Sequence, residues 1–235
     1  MSGARIRLTP RNLSELILGQ WLCEIEAELE PAVAKLRQQS AACEATRAQM
    51  DYKTGSIPFA TAVLLYAAVR NVKPKTIFEI GTFIGKSALA MALAADENEE
   101  AAEIYTCDGS NDFHVPNVTR TKIIGFPKTT STDALRNVAQ TGRKIEFAHI
   151  DGRLAPEDFD LLESIADPRI IMALDDFEGI EKGVANFSTL RGRKFFNQHA
   201  LVYPASETLL ARIGLMTPST TAYMIPIPAL TYAPQ

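Results

Sequence analysis

Between Glu79 and Ser87 the chain reads E-I-G-T-F-I-G-K-S, and two opposite chemistries compete for it. A lysine and a hydroxyl residue after a glycine turn hold phosphate when the spacing is G-x-x-x-x-G-K-[ST]. Here Gly81 and Gly85 bracket only Thr82, Phe83 and Ile84, so the ring is one residue short. The run R-I-I-M-A-L-D-D (169–176) imitates the strand and acid that hold magnesium in such enzymes, which keeps the alternative open. A dinucleotide turn would need G-x-G-x-x-G, and position 83 is phenylalanine. Read from its head, the same stretch sets the carboxylate of Glu79 before two glycines that permit close backbone approach. That arrangement suits a positively charged ligand.

Asp108 supports the second reading. It closes the run E-I-Y-T-C-D (103–108), and a carboxylate at such a strand end can accept hydrogen bonds from both ribose hydroxyls. Its alternative is a turn residue in C-D-G-S-N-D. S-adenosylmethionine carries a sulfonium, an ammonium and no phosphate, so glycines with carboxylates fit it and a lysine cradle does not. On this reading Lys86 points to solvent at a helix start.

These residues must be positioned by alternating elements. T-I-F-E-I-G (76–81) reads as a strand and K-S-A-L-A-M-A-L-A-A-D as the helix behind it. E-I-Y-T-C-D, T-K-I-I-G-F (121–126), K-I-E-F-A-H-I-D-G (144–152) and R-I-I-M-A-L-D-D read as further strands, with helical runs between most of them. K-I-E-F-A-H-I-D-G is taken as the fourth strand; as the third it would put Asp151 near an adenine instead. Strand–helix alternation implies a parallel sheet covered on both faces. H-A-L-V-Y-P-A and T-A-Y-M-I-P-I-P-A supply two late strands with no convincing helix between them, so an antiparallel last strand is expected. Upstream, F-A-T-A-V-L-L-Y-A-A-V-R-N-V-K-P reads as an amphipathic helix. Residues 12–50 read as helix from Ser14 onward, broken or restarted at Pro31, with Leu18, Trp21, Leu22 and Ile25 on one face. The expected division is an N-terminal helical extension over 1–55, acting as a lid or dimer contact, and a cofactor-binding domain over 56–235.

With E-x-G-x-x-x-G-x-S at 79–87 and the acid of Y-T-C-D, the chain resembles the class I S-adenosylmethionine-dependent methyltransferases, of the catechol O-methyltransferase-like and methyltransferase 24 groups. F-A-H-I-D-G (147–152) and M-A-L-D-D-F-E-G-I-E-K-G-V (172–184) resemble their fourth and fifth strand ends, and the likeness runs over about 55–190. The resemblance implies a doubly wound, Rossmann-like α/β fold with a mostly parallel seven-stranded sheet. It implies that Glu79, Gly81, Thr82, Gly85 and Ser87 hold the methionine side of the cofactor, with Asp108 and Gly109 at the ribose. It also implies, in metal-dependent members, a magnesium or other divalent site at Asp151, Asp175 and Asp176. Loops after parallel strands gather at one edge, where three carboxylates suit a hard cation; the alternative is a helix cap and a turn. Catechol-type enzymes place a lysine base at the position of Leu154, and the other group often has D-G-x-H where this chain has D-G-R-L. Asp151 and His149 are therefore the catalytic candidates, His149 sharing a strand face with Asp151. His114 is a further candidate base, and His199 is incidental.

With 28 acidic and 24 basic side chains the net charge is −4, which gives no electrostatic reason for nucleic acid. No apolar run reaches membrane-spanning length, and Cys23, Cys43 and Cys107 form no C-x-x-C pair, which fits a reducing cytoplasm. The function expected is methyl transfer to a small molecule, at oxygen before nitrogen, by a homodimer. The rivals are a non-catalytic cofactor-binding module and a nucleotide hydrolase.

Overall fold

The strands that the alternation predicts are Thr76–Ile80 (β1), Glu103–Asp108 (β2), Lys122–Pro127 (β3), Ile145–Ile150 (β4) and Ala166–Leu174 (β5). They form in a computed structural model that describes residues 9–51, 55–117, 119–178 and 181–227. His199–Val202 (β6) and Ala222–Pro226 (β7) complete a seven-stranded sheet of order β3-β2-β1-β4-β5-β7-β6. The first five strands pair in parallel, and β7 runs antiparallel to both β5 and β6. K-I-E-F-A-H-I is thus the fourth strand, next to β1.

Successive strand residues point to opposite faces, and each face has its own helices. Ile77, Ile104, Phe147, Ile171 and Tyr223 pack against Pro10–Glu24 (α1), Glu26–Thr46 (α2), Phe59–Val72 (α3) and Lys86–Asp96 (α4). Phe78, Tyr105, Ala148, Met172 and Met224 pack against Ser131–Gln140 (α5), Pro156–Ile165 (α6) and Lys182–Arg191 (α7).

Several expectations change in this frame. The N-terminal helix starts at Pro10, with the Thr9 hydroxyl accepting from Asn12 N, because threonine followed by proline is a stronger start than the buried Ser14. The break falls at Ile25 (φ −108°, ψ 14°), and Pro31 sits inside the second turn of α2. α3 forms where expected, but it is buried all round from Ala60 to Val69, so it is an internal helix between sheet and extension and not an amphipathic one. A short helix, Glu207–Arg212 (α8), does stand between β6 and β7. Leu18, Trp21, Leu22 and Ile25 are buried in the same core cluster as α3 and α4, so that stripe docks on its own chain. The loop D-Y-K-T-G-S-I-P lies partly outside the described residues, as do the end of the last expected strand and Gly179.

Candidate functional site

Strand order reverses between β1 and β4, and in open α/β sheets the crevice at such a point is where ligands bind. Both loops that leave it carry residues singled out in the sequence. After β1 the chain turns through Gly81 (φ +95°) and Gly85 (φ +72°) into α4. After β4 comes Asp151, whose backbone N–H donates to Ile80 O at 2.9 Å. A Cβ on Gly81 would sit 2.7 Å from the Asp151 carbonyl, so only glycine lets these loops touch. A Cβ on Gly85 would sit 2.5 Å from His114 O: the close approach there is to the protein's own 112–116 segment.

Asp108 organises the turn. Its Oδ2 accepts from Phe83 N at 2.9 Å, and its Oδ1 accepts from Ser110 N and Oγ at 2.8 and 2.7 Å. His114 N in turn donates to Phe83 O at 2.8 Å, folding the loop after β2 across the glycine turn. Gly109 is open, with nothing near its Cβ position. The turn reading of Asp108 and its place at a strand end are therefore both realised.

Strand register, parallel from β2 to β5 and antiparallel between β5 and β7, sets Thr106, Glu79, His149, Ala173 and Tyr223 side by side on one sheet face. Glu79 is fully buried and both its oxygens are engaged. Thr106 Oγ1 donates to Oε2 at 2.5 Å, and His149 Nδ1 lies 3.1 Å from Oε1. Thr82 Oγ1 lies 2.6 Å from Thr106 Oγ1, which links the glycine turn to this row. Burial disfavours a charged His149, but Glu79, with Asp175 and Asp151, outweighs it and holds its pKa above the ordinary histidine value. His149 Nε2 and the Tyr223 hydroxyl are buried without a hydrogen-bond partner.

The three aspartates do not converge on one point. Asp175 Oδ1 accepts from Thr220 and Thr221 hydroxyls at 2.9 and 2.6 Å. Lys182 Nζ stands between the other two, 2.5 Å from Asp151 Oδ1 and 3.0 Å from Asp176 Oδ2. Among the described residues no group of three or more His, Cys, Asp or Glu is arranged to hold a metal ion. The donor set does not fit the divalent site implied by the resemblance, because an ammonium stands within it and one carboxylate is committed to threonines. Burial and the neighbouring Asp175 push the Asp151 carboxyl up to about 7, against the pull of His149 and Lys182. Burial opposes a charged Lys182, yet Asp151 and Asp176 hold its pKa above the usual lysine value.

Lys86 does not reach solvent. Its Nζ donates to Ile57 O at 2.8 Å and pairs with Glu44 Oε1 of α2 at 3.1 Å. A lysine spent in this way is not presented to a phosphate, which argues against the nucleotide-hydrolase alternative. Ser87 and Thr82 line a recess of about 10 Å³ with Ser56, Ile57, Gly81 and Asp151. Leu154, at the position of the catechol-type base, is buried, and its N–H donates to Asn186 Oδ1 at 3.1 Å. His199 is a core residue against Phe195 and Phe196, with Nε2 3.2 Å from Ile170 O.

Lys182 is the residue that sequence reasoning missed. The available signal was a lysine opening α7, with no acid in the first turn, where the helix dipole favours negative charge.

Residues 78–177 match the family model described as a methyltransferase domain, of the methyltransferase 24 group. No curated protein matches the chain. Among solved structures, the chain is similar to the O-methyltransferase TomG from Streptomyces achromogenes in complex with SAM. That match has 16% identity and a TM-score of 0.57, over 83% of this chain and 89% of that one. An O-methyltransferase from Bacillus cereus in complex with SAH is similar at 12% identity and a TM-score of 0.57, over 88% and 98% of the two chains. A putative caffeoyl-CoA O-methyltransferase from Staphylococcus aureus gives 13%, 0.54, and coverage of 84% and 98%. At such identities the likeness is one of fold, and it matches the strand order described above.

Proposed function

With residues 78–177 a methyltransferase domain, we propose that this chain transfers the methyl group of S-adenosylmethionine to a hydroxyl of a small molecule. The observation that carries the reading is the crevice between β1 and β4, where Gly81 meets Asp151 inside the matched segment. The neighbours named above, bound to SAM or SAH, support the choice of cofactor. Asp108, with what Lys182 leaves uncompensated on Asp151 and Asp176, gives that sheet edge the negative charge a sulfonium and an ammonium require. Gly81, Thr82, Gly85 and Ser87 form the methionine side, and Asp108 with Gly109 the ribose side. Glu79 acts from beneath, through Thr106 and Thr82.

In the transfer, the acceptor oxygen attacks the methyl carbon in line with the carbon–sulfur bond. The new O–C bond forms as the C–S bond breaks, the sulfonium becomes the neutral thioether of S-adenosylhomocysteine, and the acceptor proton passes to Asp151. A base near pKa 7 is matched to that task at neutral pH. His149, fully buried with Nδ1 against Glu79, is assigned a positioning role that fixes Glu79 under the turn. The rest is alignment of the two reactants. No metal step belongs to this reading, since the donor set does not fit one.

The N-terminal extension is a tethered cover, joined to the site by Lys86 and Glu44. Because its apolar stripe is spent within the chain, a homodimer would form through the exposed Leu16 edge of α1; light scattering decides it. No described helix is long and apolar enough to cross a membrane, and free Cys23, Cys43 and Cys107 suit a reducing cytoplasm. Calorimetry tests the whole reading. S-adenosylhomocysteine should bind in the micromolar range, on the order of −8 kcal/mol, and ATP should not. Tight ATP binding lost in Lys86→Ala would sink the proposal, and cofactor binding without turnover on phenols and sugars would leave a non-catalytic module.

A further inference from the structure

Three aspartates at one edge of a parallel sheet are an obvious place for a divalent cation, yet a cation of the chain's own is already there. Lys182 Nζ lies 2.5 Å from Asp151 Oδ1, 3.0 Å from Asp176 Oδ2 and 3.3 Å from the Asp151 carbonyl. An ammonium has three N–H donors and no acceptor, and these three oxygens occupy all of them. Asp175 is turned to the Thr220 and Thr221 hydroxyls. A metal arriving here would meet a resident positive charge and lack one of its expected ligands.

The placement is built into the backbone. A Cβ on Gly183 would sit 2.2 Å from Asp175 O and 3.0 Å from Asp176 O. Glycine there lets the first turn of α7 lie directly on the end of β5, and that brings Lys182, the preceding residue, over both carboxylates. A lysine at a helix start is opposed by the helix dipole, so the two acids supply what holds it there. Asp176 itself adopts φ +50°, an uncommon conformation for a residue with a side chain.

We infer that Lys182 is the resident cation of this site, standing where a divalent metal would otherwise be bound and positioning Asp151. The ion placement stands on the geometry alone; its bearing on methyl transfer rests on the function proposed above. The test is uptake of Mn2+, read from the electron paramagnetic resonance signal of the free ion, by EDTA-dialysed protein. Wild type should leave that signal at the level of buffer. Lys182→Met should take up Mn2+, and Lys182→Met with Asp151→Asn should lose that uptake again. Wild-type uptake that Asp151→Asn abolishes would overturn the inference. So would a Lys182→Met protein with an unchanged unfolding midpoint that takes up none. If Lys182→Met does not fold, wild type against Asp151→Asn decides alone. Calorimetry with S-adenosylhomocysteine on the same wild-type sample keeps the two proposals apart. No binding of either ligand would refute the cofactor reading and leave the lysine in place.

Discussion

Nδ1 of His149 lies 3.1 Å from Oε1 of Glu79, and neither side chain is exposed. Two titratable groups have been brought into the middle of a sheet face that otherwise packs apolar side chains against helices. Burial alone would disfavour a charged His149. Pairing, with Thr106 on the other carboxylate oxygen, lets them remain.

That pairing makes stability depend on pH. The folded pKa of His149 is raised above 6.5, so the stabilisation is fully present below that value and is lost as pH rises through the folded one. Glu79→Gln should be less stable than wild type by about 1–3 kcal/mol at pH 6, and the gap should narrow at alkaline pH. Urea unfolding across that range reads it. A constant gap would mean that the pair is not linked to protonation.

With Asp151 as the base proposed above, its carboxyl should set the pH dependence of turnover. With its carboxyl pushed up to about 7, the ionised base accumulates as pH rises, and kcat/KM should rise with a midpoint there. Asp151→Asn should remove that limb and cost roughly 10²–10⁴ in rate. The sign for stability is opposite to that for activity. A carboxyl whose folded pKa is raised above 3.8 costs the fold progressively more as pH climbs from there through 7. A pH–rate profile that is flat from 5 to 9 would remove Asp151 as the base.

Asp108 supports the turn through Phe83 N and Ser110, and the function proposed above also sets it at the ribose. Asp108→Ala should weaken S-adenosylhomocysteine binding by about 1.5–3 kcal/mol, as for a hydrogen bond to a charged group. Calorimetry measures it, and unchanged affinity would leave Asp108 as a turn residue alone.

Gly183→Ala inserts a methyl group against backbone oxygens that cannot swing aside. The start of α7 must shift, at a cost of about 1–3 kcal/mol as for other overpacked sites. Because Lys182 pulls the Asp151 pKa down, its displacement should move the pH–rate midpoint upward. Thermal unfolding and the pH profile together check this; a stable variant with an unmoved midpoint would contradict the proposed coupling.

Local pattern determined much of this protein. The strands β1 to β5 and the helices behind them follow from apolar runs broken by turn residues, and the crevice follows from which loop carries Gly81 and which carries Asp151. The break at Ile25 and the short α8 escaped, because tertiary packing overrides weak helix signals at such lengths. What only the tertiary structure decided is how the charges are spent. Glu79 and His149 are seventy positions apart in number, Lys86 and Glu44 forty-two, and Lys182 and Asp151 thirty-one. A sequence shows that these residues are ionisable, but it does not show which will be brought within three or four ångströms of another. Coulomb energy depends on that distance and on the burial around it, and both are set only when β1, β4 and β5 pair and α4 and α7 settle on their ends. Three aspartates legible as a metal site therefore became, once folded, a pair held by a lysine and a third turned towards two threonines.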